Sequence, residues 1–349
     1  MKTVSFKLPE ELYSGLEEIA QVYARGDKSE FLRMLIAREV ARLRCPTLFL
    51  AGSGRTAIEA AVSTGTKPLN WLLSAGTYYR SGRFVMSKDF DLAKSLGGLL
   101  FMDSGAQQFF TKFDNKVDYP YSNREYLEFA LRVGVDYIAT LDLPLDILHP
   151  RGLPIKDGIR RTVEHGVELI ALAEDLGVID KIVPVLQGFN DPSQWLESLD
   201  LYKSHGVTPG EFKYWGVGSI CMMRSPPLVH KVLGAVRDAM PDARIHVFGI
   251  SMNSLKRVYN IINSYDTSVW VYHVKMDGRV YVWDPADKAF MRLKVVYWHA
   301  YGSTKLMRAN LTQILTMHED LCRGLTQAPP ETPPKRTTKS GNTAGKGHG

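Results

Sequence analysis

At 349 residues and 39.2 kDa, with 45% hydrophobic and 23% charged residues, the chain exceeds one small domain and is too apolar for bulk disorder. A formal charge of +6 and a pI near 9.0 suit a polyanionic partner without requiring one at this size. Three widely spaced cysteines, Cys45, Cys221 and Cys322, argue against a disulfide framework, and no stretch approaches the roughly 18 apolar residues of a membrane helix, so a cytoplasmic protein is expected.

Residues 1–44 read as a unit of their own. Val4, Phe6 and Leu8 alternate with Thr3, Ser5 and Lys7, the pattern of a half-buried strand. Pro9-Glu10-Glu11 then opens a helix with proline and acids at its positive end, and Leu12, Leu16, Ile19, Ala20 and Tyr23 form its apolar stripe. Gly26-Asp27 breaks that helix, and Ser29 reads as the N-cap of a second, carrying Phe31, Leu32, Leu35, Ile36 and Val40. Strand, helix, turn, helix resembles the ribbon-helix-helix DNA-binding domains. That resemblance implies a homodimer joined through paired strands. It also implies that Thr3, Ser5 and Lys7 face the major groove while the helix at Ser29 offers backbone N–H groups to phosphate. A dimerisation arm without DNA contact is the alternative.

Cys45-Pro46 closes the second helix and Leu48–Gly52 reads as the first strand of a larger domain. Gly52-Ser-Gly54-Arg55-Thr56 lacks the spacing of a phosphate loop and reads as a strand-to-helix turn. Asn70–Ser74 is a further candidate strand. From Gly98 onward strands and helices alternate. The strand ending at Asp103 precedes a helix over 122–133, that ending at Asp142 a helix over 155–176, and Ile182–Gln187 a helix over 195–205. Tyr214–Gly218 precedes 228–240, Arg244–Gly249 precedes 253–262, and a strand over 267–272 follows. The count approaches the eight of a (β/α)8 TIM barrel, an α/β fold over residues 47–325 that ends in a long helix over 304–325. Residues 328–349 turn to Pro, Thr, Lys and Gly and are expected to be a disordered, weakly basic tail.

The apolar runs share an ending. Each stops in a polar handle or bare backbone, at Asp103-Ser104-Gly105, Asp142, Gln187-Gly188 and Gly218-Ser219, and the run through Tyr265-Asp266-Thr-Ser-Val-Trp270 carries a further acid. At the carboxyl edge of a parallel barrel such residues converge on one rim. Asp103-Ser-Gly, Leu186-Gln187-Gly188, Gly216-Val-Gly218, Val247-Phe-Gly249 and Tyr265-Asp266 resemble, in order and spacing, the guanine transglycosylases, barrel enzymes that exchange guanine for a 7-deazaguanine. Tyr265-Asp266-Thr-Ser-Val-Trp270 is more similar to the DNA-modifying branch than to the tRNA enzymes, whose aspartate precedes a cysteine and then proline-threonine-arginine.

The resemblance implies roles. Asp266 would be the nucleophile that forms a covalent glycosyl-enzyme and Asp103 the general acid/base, because breaking a purine N-glycosidic bond develops charge on both fragments. Asp142 would accept from the guanine N1–H and amine, with Asp146 as the alternative reader, and Ser104, Gln187, Gly188 and Gly218 would complete the polar edge of the base site. Phe109, Met252 or Met222 would wall the flat base. The implied reaction is guanine out and a 7-deazaguanine such as preQ0 in, on flipped or single-stranded DNA. The same reaction on tRNA, or a DNA-binding regulator whose inactive barrel holds a deazaguanine, are the alternatives. No cofactor is expected. The tRNA enzymes carry a structural zinc on three cysteines and a histidine; His318 stands at the histidine's place, with Cys322 one turn on and His299 upstream, but no cysteine cluster precedes it, so zinc of that type is not expected.

Overall fold

The computed structural model describes residues 7, 9–24, 26–33, 35–36, 45–52, 54–112, 118–295 and 302–327. Nine strands form one sheet in which every neighbouring pair is parallel. From one end the order is Ile182–Val183, Tyr137–Ala139, Gly97–Asp103, Leu69–Ser74, Thr47–Ala51, Ser264–Thr267, Ile245–Val247, Trp215–Val217 and Val185–Leu186. The two ends of this order are consecutive in the chain, separated by Pro184 alone, so the sheet is a nearly closed barrel. Pro184 has no N–H for the ladder, but its carbonyl accepts from Gly216 N at 2.8 Å.

Two apolar layers follow from the period of two along each strand. Phe49, Ala51, Leu72, Phe101, Ala139, Val183, Val185 and Tyr214 fill the inside. Outward residues such as Leu48, Trp71, Leu100, Ile138, Ile182 and Trp215 pack under the surrounding helices. Those helices begin where the sequence places good caps. Ser122 and Glu125 make a reciprocal capping box for Asn123–Val133, and Asp191, Ser225 and Ser251 cap Pro192–Ser204, Pro226–Ala239 and Met252–Val258. Among the described residues no helix is long and apolar enough to cross a membrane.

Several expectations are corrected. The segment 267–272 is not a strand: the strand ends at Thr267 and Val269–Asp277 is a helix closed by Gly278 in the left-handed conformation. Thr-Ser-Val-Trp-Val-Tyr is rich in strand formers, yet Trp270, Val271 and Val274 are buried on one helical face, and this packing overrides propensity. A hairpin of Arg279–Asp284 and Ala289–Lys294 lies where no element is expected. It docks on the last helix, Ser303–Gln327, through Asn310 Oδ1 and Gln313 Oε1, which accept the N–H groups of Tyr281 and Trp283 at 2.8 Å each. Cys45 and Cys322 form a disulfide, against the reading of unpaired cysteines, because the start of the barrel and the last helix meet in space. Cys221 is free.

In the amino-terminal part the helix Glu10–Tyr23 follows Pro9 as expected. The second helix starts at Lys28 and is capped by Asp27, whose Oδ1 accepts from Glu30 N at 2.9 Å; Ser29 lies inside the first turn and is not the cap. Thr3, Ser5 and the rest of the expected strand lie outside the described residues, apart from Lys7, which is exposed. The expected tail over 328–349 also lies outside them.

Candidate active site

The strand registers align the residues that matter. Asp103 ends its strand opposite Ser74, the last residue of the neighbouring strand, and Asp266 stands one residue before the end of Ser264–Thr267, so both aspartates sit toward the carboxyl end of the sheet. Beyond Asp103 the chain turns at Gly105, φ +79°, where an added Cβ would lie 2.3 Å from Gly76 N; only glycine lets these two loops touch. The Gly105 N–H donates back to Asp103 Oδ2 at 3.1 Å.

Asp142 is the hub of a buried network. Ser104 Oγ donates to its Oδ1 at 2.7 Å, and Gln187 Nε2 donates to its Oδ2. Tyr119 OH donates to the Asp142 carbonyl at 2.6 Å and accepts from Asp142 N at 3.2 Å. The other end of Gln187 is held as well: Ser219 Oγ donates to Gln187 Oε1 and accepts from Leu145 N at 2.9 Å. The amide of Gln187 therefore has one orientation, fixed by a hydroxyl on one side and a carboxylate on the other. Gly218 is needed for that approach, because a Cβ there would lie 2.2 Å from Gln187 Nε2. Gly188 is required by packing, since an added Cβ there would lie 2.5 Å from the Trp195 indole.

Asp266 is 6% exposed, and its Oδ1 accepts from Gly249 N at 2.8 Å. Gly249, φ +61°, in turn abuts Cys221, whose thiol donates to Asp146 Oδ2 at 3.4 Å. A continuous path thus runs from Asp142 through Gln187, Ser219, Asp146, Cys221 and Gly249 to Asp266. Phe109 is buried among Tyr79, Tyr119 and Tyr121, Met252 is buried at its helix start, and Met222 is 55% exposed.

The electrostatics are those of carboxylates withdrawn from water. Burial, then the charges of Asp142 and Asp266, push the Asp103 carboxyl up to about 7, against the opposing pull of the Gly105 N–H and the Ser74 hydroxyl. Burial pushes Asp142 up to about 6 although Ser104 and Gln187 hydrogen-bond its charged form. Burial also raises Asp146. A carboxyl near 7 can hold or release a proton at neutral pH, as a general acid/base requires.

Away from this rim, Cys45, His318 and Cys322 gather, with Sγ and Nε2 atoms within 4.8 Å of one another. Tyr259 OH and Tyr265 OH lie 2.8 and 3.0 Å from His318 Nδ1, and burial lowers the imidazole to about 4. A closed structural zinc site takes four ligands. This cluster offers three, and both sulfurs are joined in the disulfide, so it does not fit such an ion as it stands. His299 lies outside the described residues.

The structure brings Asp103, Ser104, Asp142, Gln187 and Gly218 together and places Asp266 beside them. It adds Ser219, whose signal in the sequence was a non-glycine residue following Gly218 in a turn; its φ is +55°. Lys7 and Ser29 belong to the amino-terminal part and not to this rim.

A comparison with curated proteins found no match. The family model described as "DpdA: DeoxyPurine in DNA protein A" matches residues 126–287, a span holding Asp142, Gln187, Gly218, Ser219 and Asp266. Over residues 126–287 the chain is similar to this family, a DNA 7-deazaguanine transglycosylase family within the guanine transglycosylase superfamily.

Proposed function

We propose that the protein is a DNA-guanine transglycosylase that exchanges guanine for a 7-deazaguanine such as preQ0 through a covalent aspartyl-glycosyl intermediate. The observation that carries this reading is the convergence of three acids on one rim: Asp103 feels the charges of both Asp142 and Asp266. Asp266 attacks C1′ of the target nucleotide, and Asp103 protonates the departing guanine. Asp142 and Gln187 hold the polar edge of the base, kept in place by Ser104 and Ser219. The incoming base then attacks C1′, its proton passes to Asp103, and Asp266 is released. No cofactor takes part in these steps.

The strand segments on either side of Pro184 read as one interrupted strand, which makes the barrel over 47–325 eight-stranded. Residues 1–44 are read as an appended DNA-binding and dimerisation module. Leu12, Ile19 and Val22 are 61%, 47% and 74% exposed on Glu10–Tyr23, which supports burial of this face against a second copy. The test of the function is incorporation of labelled guanine and labelled preQ0 into duplex DNA, single-stranded DNA and tRNA in parallel. Label in DNA supports the reading; label in tRNA alone refutes the substrate, and no label in any of the three refutes the activity.

A further inference from the structure

His246 is a buried titratable group that this mechanism does not use. His246, on Ile245–Val247, is fully buried inside the barrel, ringed by Phe49, Phe101 and Phe248 at centroid distances of 5.7, 4.7 and 4.5 Å. Its register partner is Ser264, two residues before Asp266 and so on the same inward face of that strand. Ser264 Oγ lies 2.9 Å from His246 Nδ1. On the other side of the ring, Nε2 is 3.5 Å from Asp266 Oδ1, long for a hydrogen bond, and has no other partner among the described residues.

The protonation state follows from the surroundings. Burial lowers the imidazole's pKa more than the nearby Asp266 raises it, so the ring is neutral and carries one N–H. The serine hydroxyl can donate to Nδ1, which puts the ring's one proton on Nε2, facing Asp266 Oδ1, the oxygen that already accepts from Gly249 N. Hydrogen bonds in unliganded active sites are commonly long and shorten when substrate is bound.

We propose that His246 is a positioning residue for the nucleophile: its Nε2–H and the Gly249 N–H together hold Asp266 Oδ1, leaving Oδ2 turned toward the sugar. The inference rests on the transglycosylase reading. In the first half-reaction Oδ2 bonds to C1′, the C1′–N9 bond breaks with its electron pair leaving on guanine, and Asp103 supplies the proton guanine takes up. Oδ1 is then the carbonyl oxygen of the ester. In the second half-reaction N9 of the incoming base bonds to C1′, the ester C–O bond breaks, and the pair returns to Asp266 while the base's proton passes to Asp103. His246 exchanges no proton; it stabilises the charge that reappears on Asp266, so its loss slows the second half-reaction more than the first.

The test compares His246→Met, which fills the space without a donor, with His246→Gln, which restores an N–H. In single-turnover and steady-state exchange on a labelled oligonucleotide, H246M is expected to lose about 10- to 100-fold in kcat. Because kcat/KM for DNA reports the first half-reaction alone, it should fall less than kcat, so KM for DNA falls along with kcat while protein–DNA adduct accumulates on denaturing gels, and H246Q should recover most of the rate. A kcat near wild type in H246M, or an H246Q as slow as H246M, would overturn the proposal. Imidazole 15N shifts in the free protein decide the point without catalysis. Nε2 should be protonated and its resonance should move in Asp266→Ala, whereas a protonated Nδ1 or an unmoved Nε2 would contradict the assignment. If the wild type exchanges no base, the function fails and the shifts alone judge the contact.

Discussion

Ser104 Oγ and Asp142 Oδ1, 38 residues apart in the chain, are joined by a buried 2.7 Å hydrogen bond between the segments that follow two adjacent barrel strands. The bond couples Asp103-Ser104-Gly105, the segment proposed to carry the acid/base, to the carboxylate proposed to read the base. It also lowers the cost of keeping Asp142 charged out of water.

Ser104→Ala should therefore act on base binding more than on chemistry. The expected result is a rise of about tenfold in KM for the free base with kcat nearly unchanged, and a stability loss of ~1 kcal/mol in urea. Steady-state exchange at varied base concentration checks the first and equilibrium unfolding the second.

Ser219 holds Gln187 and the Leu145 N–H at once, so Ser219→Ala leaves two buried polar groups short of partners. A destabilisation of roughly 1–3 kcal/mol is expected. Gly218→Ala should be worse for activity, since its Cβ would press on the Gln187 amide that contacts Asp142. Thermal melts and base titrations of the two variants separate the effects.

The pH dependence of stability has a definite sign. Asp103 sits at about 7 in the folded protein, above its ordinary 3.8, so the folded state binds an extra proton between those values. Its contribution is favourable below about pH 4 and is lost as pH rises through 7. Asp103→Asn should accordingly gain on wild type as pH goes from 5 to 8, reaching roughly 1–3 kcal/mol, while exchange activity is lost. Urea unfolding at several pH values measures the trend; a gain that grows toward acid would contradict it.

The Cys45–Cys322 disulfide closes a loop of 277 residues. Reduction, or Cys45→Ser with Cys322→Ser, should lower stability by about 2–5 kcal/mol, because the cross-link restricts the unfolded chain. Peptide mapping without reductant and thermal melts with and without it test the bond and its effect.

Part of the rim was legible because an apolar run that ends in an acid betrays its own geometry: Asp103 reads as a strand end from the sequence and is found there, whereas Asp266, expected just ahead of a strand over 267–272, lies inside the strand that ends at Thr267. Asp142 lies three residues past its strand, which ends at Ala139, in the loop that follows. What was not legible depends on neighbours distant in sequence. His246 and Ser264 look like ordinary strand residues until the register sets them side by side. Val269–Asp277 misled because its β-branched and aromatic residues serve a helix buried under the last helix. Cys45 and Cys322 gave no local signal, since the contact exists only once the barrel has brought its first strand beside its last.

The most direct measurement is transfer of label from preQ0 into a DNA duplex by wild type and Asp266→Ala, with the protein–DNA adduct digested and the linked peptide sequenced by mass spectrometry. The account predicts label in DNA with wild type, none with the variant, and the sugar attached to Asp266. Undiminished exchange by Asp266→Ala, or a sugar linked to another residue, would contradict it.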